Sequence, residues 1–185
     1  GKTLAPALTV SAAGENIEQT YKLTMPTKTA LKNTIDTEKV NAVAMVIGAN
    51  GFRRPVPGAN ISWGYGGAHK GVDFTKYCGA PIYAVATGQV YYVGNTLDYY
   101  GAKMVMIVHN VNGKLVFSQY AHLGSYGVST GQVVTPNTVI GYMGSTGYST
   151  GCHLHLEMSE SYGWNYNTGY YSYINYIVSP FKYIP

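Results

Sequence analysis

Between residues 81 and 158 the chain breaks into short apolar runs separated by polar or glycine-rich turns. The clearest is Met104-Val105-Met106-Ile107-Val108, flanked by Lys103 and His109. Such runs, closely spaced, predict strands at 81–86, 89–94, 103–109, 115–122, 139–143 and 153–158, packed antiparallel. Residues 1–51 follow another pattern. They are polar, with Lys and Glu set in a Thr/Ala background. Only 27–46 carries weak helical spacing, with Leu31, Ile35, Val40 and Val43 on one face. We read 1–51 as a linker or short helical extension ending near Gly48-Ala49-Asn50-Gly51, and 52–185 as the folded domain.

Composition sharpens the β reading. Tyrosine (19 copies) and glycine (23 copies) are abundant, and only 11% of residues are charged. Tyrosine suits strands and glycine suits turns and bulges. An all-β, mainly antiparallel domain follows, and 185 residues suffice for one domain with a core. The net charge of +4 is mild and suits an anionic partner surface. No dense Lys/Arg cluster or nucleic-acid motif is present, which argues against nucleic-acid binding. No segment reaches the ~18 apolar residues of a membrane span. The chain opens Gly1-Lys2-Thr3-Leu4-Ala5-Pro6, without an initiator Met or a following apolar leader core. A processed form or a piece of a larger protein is expected.

The candidate chemistry lies in two patterns, His69-Lys70-Gly71-Val72-Asp73 and His153-Leu154-His155. Imidazole nitrogen and carboxylate oxygen are the ligands zinc prefers. The chain has five histidines; three stand in these patterns and a fourth in Tyr120-Ala121-His122-Leu123. On a strand, residues two apart share a face, so His153 and His155 can face one cleft. Residues four apart on a straight strand stand roughly 13 Å apart, too far for one ion. The chain must therefore bend between His69 and Asp73, and Gly71 is expected to supply unusual backbone angles there. The glycines around it argue against a helix. His109 ends an apolar run and is expected at a strand end or in a loop, near the cleft rim.

The stretch from Phe52 to about Met158 resembles the M23 family of zinc metallopeptidases, the lysostaphin-like peptidoglycan endopeptidases. The matching segments, in order, begin with Arg54-Pro55-Val56, Ile61-Ser62-Trp63-Gly64 and His69-x-Gly71-Val72-Asp73-Phe74. Gly79-Ala80-Pro81-Ile82-x-Ala84, Gly88-x-Val90 and Tyr120-Ala121-His122-Leu123 follow. The last are Gly141-Tyr142-Met143-Gly144-Ser145-Thr146-Gly147 and Gly151-Cys152-His153-Leu154-His155-Leu156-Glu157. The resemblance implies a lysostaphin-like fold with Zn2+ in a groove, held by His69, Asp73 and His155. His122 and His153 would be the catalytic histidines beside the metal. Tyr65 is the nearest candidate for the oxyanion-stabilising tyrosine that relatives place upstream of the first ligand. The implied activity is hydrolysis of peptide stems or cross-bridges of bacterial peptidoglycan. The implied place is the cell wall, reached as a secreted enzyme or on a phage virion tail, alone or with other modules of a larger precursor. A degenerate, metal-free regulator of wall enzymes is a further alternative, against which stands the presence of all five histidine and aspartate site residues.

Two features depart from the family pattern. Cys152 stands where a proline is usual, and Cys78 follows Asp73 closely. Both flank the site, and a disulfide and two buried thiols are both open. Residues 161–178 are longer than usual and rich in Tyr, Asn and Gly. A surface loop packed on the sheet and a wall of the substrate groove are both open, the latter because tyrosines such as Tyr162, Tyr166, Tyr170 and Tyr171 can stack on sugars or hold peptide backbone.

Overall fold

Alternation in two strands decides which way the domain faces. In β2 (Val72–Thr75), Val72 and Phe74 are fully buried in the core, and Asp73 lies between them on the opposite face. In β10 (Leu154–Glu160), Leu154, Leu156 and Met158 enter the same core, so His155 and Glu157 share the face of Asp73. This computed structural model describes residues 51–96, 100–160 and 176–185.

The remaining strands are β1 (Asn60–Trp63), β3 (Pro81–Tyr83), β4 (Gly88–Asn95), β5 (Lys103–Val111), β6 (Lys114–Ala121), β7 (Leu123–Tyr126), β8 (Val133–Val134), β9 (Val139–Met143) and β11 (Ile177–Val178). An eight-stranded antiparallel sheet runs β1-β2-β10-β6-β5-β4-β8, with β11 paired beside β2 on the same flank of β10. A three-stranded sheet, β3-β9-β7, supplies Ile82, Ile140, Leu123 and Met143 to the common core. The small sheet thus covers one face of the large one and leaves the Asp73 face for chemistry. The all-β antiparallel fold expected from the sequence is what forms.

The six predicted strands are present with shifted ends. Five others are not in the prediction. The edge strand β1 is exposed along its whole length, so it shows no buried-exposed alternation. The strands β2, β7, β8 and β11 are short. The ends of the described chain are fastened. Phe52 packs its ring on Tyr183 and His109. Glu160 binds Lys114, Lys182 and Tyr183. The helical spacing within 1–51 and the segment 161–175 lie outside the described residues.

His109 corrects the expectation. It lies inside β5, on the core face, 1% exposed and away from any rim. Its Nδ1–H donates to the Thr87 carbonyl at 2.8 Å, which leaves Nε2 as an acceptor 2.8 Å from Ser118 Oγ. Ser118 Oγ is bonded to Tyr120 Oη at 3.0 Å, and Tyr120 accepts the Val85 N–H at 2.9 Å. With His109 neutral, Ser118 donates to Nε2 and the Tyr120 hydroxyl donates to Ser118. One directed chain of bonds then runs from Val85 to Thr87 through the core, every link satisfied, and holds the 85–87 turn.

Burial lowers the His109 pKa to about 4, against the opposing bond to Thr87. An unfolded histidine titrates near ~6.5. Between these values the unfolded chain takes a proton that the folded chain refuses, so stability rises with pH across this window. The contribution is complete above about 6.5 and is lost as pH falls toward 4, up to about 3 kcal/mol in all. His109→Gln should be less stable than the parent at pH 7 yet lose about 2 kcal/mol less between pH 7 and pH 4.5, measured by chemical denaturation. Equal losses in the two proteins would show that His109 titrates normally.

Candidate metal centre

The ladder between β2 and β10 pairs Asp73 directly with His155, so both side chains stand on the open face from adjacent strands. His69 arrives from a tight turn. Gly66 and His69 exchange both backbone hydrogen bonds, at 3.0 and 2.9 Å, and Gly67 takes φ +55° within it. A second bend falls at Gly71, between His69 and Asp73 as the spacing demands, although Gly71 takes no positive φ. Gly71 has another role. A Cβ there would stand 2.6 Å from both His155 Cε1 and the Leu156 carbonyl oxygen. Its missing side chain is the space the His155 ring occupies.

Three ligand atoms converge. His69 Nε2 is 3.2 Å from Asp73 Oδ1 and 3.3 Å from His155 Nδ1, and the latter two are 2.7 Å apart. Ligands about 2.0–2.1 Å from a tetrahedral ion stand about 3.3 Å from one another. The three atoms form such a face, drawn slightly tight on the Asp73–His155 edge. The donor set and its spacing fit a metal ion, and among the described residues this is the group of His, Cys, Asp or Glu side chains that does.

Each ring is held by its other nitrogen. His69 Nδ1–H donates to the Gly64 carbonyl at 2.8 Å, which frees Nε2 as a ligand. His155 Nε2–H donates to Glu157 Oε1 at 3.1 Å, which assigns Nδ1 to the ion. Trp63, opposite Asp73 in the β1–β2 ladder, stacks its indole on His69 at 4.4 Å and 11°, while remaining 62% exposed. Glu157, the Gly64 carbonyl and Trp63 all lie inside the matched motifs. Their supporting roles went unread because they depend on strand pairing and turn geometry. The alternation His155-x-Glu157 was the available signal for Glu157.

His122 and His153 join the group. Their ring centroids are 4.5 Å apart, and His122 is 6.1 Å from His155. His122 occupies the corner between β6 and β7 with φ +65°, a left-handed angle that costs a non-glycine residue roughly 1–2 kcal/mol. Its Nδ1–H donates to the Thr146 carbonyl at 2.7 Å. His153 Nδ1–H donates to the Gly151 carbonyl at 2.9 Å. In both neutral rings Nε2 is therefore a proton acceptor. Tyr65 is half-buried against the core just before the Gly66–His69 turn, and among the described residues no hydrogen bond joins it to His69, Asp73 or His155.

The electrostatics favour a cation. Burial would raise the Asp73 pKa, but the hydrogen bond from His155 and the charges of His155, His69 and His153 hold it below the usual carboxylate range. Burial would lower the His155 pKa, but Asp73 and Glu157 on its two sides raise it to about 9. Without a metal the His155 ring thus keeps both protons, and a metal must displace the one on Nδ1. His122 is shifted down by burial, aided by His153 and His155 and opposed by Thr146.

Cys78 and Cys152 form a disulfide, with Cα atoms 5.3 Å apart. The alternative of two buried thiols does not hold.

Residues 67–168 match Peptidase family M23. Lysostaphin of Staphylococcus simulans is 39% identical over 93 residues, which are 50% of this chain and 18% of that protein. Its solved structure aligns with a TM-score of 0.56 at 28% identity, covering 72% of this chain and 49% of the other. Peptidoglycan DD-endopeptidase ShyA of Vibrio cholerae is 37% identical over 90 residues, 49% of this chain and 20% of its own length. A zinc-containing peptidase from Vibrio cholerae aligns at TM-score 0.53 and 30% identity, over 60% of this chain and 37% of that one. The chain spans about a fifth of the length of these two curated relatives.

Proposed function

The chain belongs to peptidase family M23, and from that premise we propose that it is a zinc-dependent endopeptidase acting on peptide stems or cross-bridges of bacterial peptidoglycan. The observation that carries the proposal is the joint one. Three ligand atoms form one face of a tetrahedral site, and two further imidazoles with acceptor nitrogens stand beside it. The relatives support the substrate, and the zinc-containing neighbour supports the ion.

His69, Asp73 and His155 would hold the zinc, leaving a fourth position open as catalytic sites require. Zinc supplies Lewis acidity there, polarising a carbonyl and making water acidic near neutral pH. The protein's own part is proton handling. Neutral His122 and His153 can only accept at Nε2, so one of them takes the proton of the attacking water. The imidazolium so formed donates from Nε2, first toward the developing oxyanion and then to the leaving amine. Tyr65 is proposed as a further oxyanion donor, on its place just before the His69 turn.

The disulfide supports work in an oxidising place, such as the outer surface of a cell wall. A secreted enzyme and a phage tail component would both meet that condition, with or without further modules. Among the described residues no helix is long and apolar enough to cross a membrane. Digestion of purified peptidoglycan, followed by mass spectrometry of the fragments, tests the proposal. New amino termini within stem or bridge peptides are expected, and they identify the bond. Intact peptides after incubation with the zinc-loaded protein would rule the activity out.

A further inference from the structure

Residues 144–153 lead from β9 to β10 and end on His153. The first half of this loop is fastened to the body. Thr146 Oγ donates to the Leu123 carbonyl at 2.7 Å and accepts the Lys103 N–H at 3.0 Å. Gly147 lies so close to Ala102 that a Cβ would be 2.5 Å from it. The second half binds mainly to its own loop. Ser149 Oγ meets Ser145 Oγ and the Gly151 carbonyl, both at 2.8 Å. His153 bonds the Gly151 carbonyl and, through its N–H, Gly144 at 3.1 Å. Tyr148, 76% exposed, meets the ring of Tyr100, itself 56% exposed, 5.0 Å away.

Beyond the His153–Gly144 backbone bond, the tie from this half-loop to the body is covalent. Cys152 precedes His153 and is bridged to Cys78, in the turn between β2 and β3. That turn is firm: Gly79 N–H donates to Met143 O at 2.8 Å, and Met143 N–H donates to Ala80 O at 2.9 Å. The ligand set does not depend on the bridge, because Asp73 and His155 are registered by the β2–β10 ladder.

We propose that the Cys78–Cys152 disulfide positions His153, so that its oxidation state sets turnover without setting metal occupancy. The idea rests on the peptidase reading for its kinetic consequence, but the positioning itself does not. Reduction by a phosphine breaks the S–S bond. With one water, the phosphine becomes its oxide and the two cysteines become thiols. His153 then loses its covalent anchor and keeps only the bonds to Gly144 and to its own loop, while His69, Asp73 and His155 keep all of theirs.

The test is the Cys78→Ser/Cys152→Ser double variant, compared with the parent well below both melting temperatures. Zinc per chain should stay at the parental value. The kcat on a minimal peptide should fall by about 10- to 100-fold, the scale of a modest misplacement of a reacting group, with KM little changed. Side-chain nitrogen NMR should show His153 fixed in its Nδ1–H form in the parent and averaged between forms in the variant. An unchanged kcat with an unchanged NMR signature would overturn the proposal, leaving the bridge as a stability staple. Loss of zinc would overturn it too, by showing that the bridge holds the ligands. If the parent cuts no peptide yet the His153 signature still collapses, the positioning stands and the peptidase reading fails. Should the double variant not fold, the same readouts are followed on the parent during phosphine titration, with re-oxidation restoring them.

Discussion

Asp73→Ala should leave the protein with only a small fraction of its metal and with almost no peptidase activity. Asp73 is one of the three proposed ligands, and it is also the carboxylate that faces the Nδ1 of His155 at 2.7 Å. Its loss leaves two imidazoles, which bind a divalent ion far more weakly than three ligands in a preformed face. Because Asp73 projects from a strand fixed on both sides by β1 and β10, the fold should survive the change. Elemental analysis after dialysis, read beside a melting curve, separates metal loss from unfolding. Glu157→Ala should give a graded version: metal affinity about 10–100-fold weaker, since Glu157 orients His155 without touching the ion. An Asp73→Ala protein that keeps its metal and its activity would remove the proposed centre altogether.

The grouping of His69, Asp73 and His155 was legible through the motif resemblance, which pointed to all three, and they do converge. Period-two spacing by itself gave the shared face of His153 and His155. The strands that alternate or run apolar over several residues were legible for the same reason. The edge strand β1 was not, because an exposed strand carries no burial contrast. The division into a large and a small sheet was also hidden. It depends on the corner at His122, and a left-handed angle at a histidine has no signature in sequence.

Two residues show how composition misleads without packing. Gly71 looks like a conformational hinge, since it stands where the chain needs to bend. The chain does bend there, but without a positive φ, and Gly71 must be small because His155 needs the space. His109 looks like a surface residue because it closes an apolar run. It is buried because Thr87 and Ser118 offer an acceptor and a donor at the right distance, which only the neighbouring strand and turn can reveal. The disulfide was open for a similar reason: pairing requires that the β2–β3 turn and the approach to β10 meet, a contact 74 residues apart in the chain. In the chain-entropy account a closed loop of that length contributes about 4 kcal/mol.

Removing the chemistry of either remaining histidine should give the complementary result, a protein full of metal that scarcely turns over. His153→Ala and His122→Asn should each retain the parental metal content and lose about 10²–10⁴-fold in kcat, the range for a positioned proton-transfer group. Asparagine is chosen at 122 because it tolerates the left-handed backbone angle better than alanine, so the chemistry is removed with less strain at the corner. Neither residue supplies a ligand atom to the His69–Asp73–His155 face, so metal should not follow activity. The two losses should not add. Both rings would serve one shared proton transfer, and once it fails with either ring gone little more can be lost, so the double variant should be little worse than the poorer single one. If either substitution empties the metal site along with the activity, the ligand assignment is wrong. If the losses multiply, the two rings act in separate steps, one on the attacking water and the other on the leaving amine, and the shared-proton mechanism must be replaced by that division.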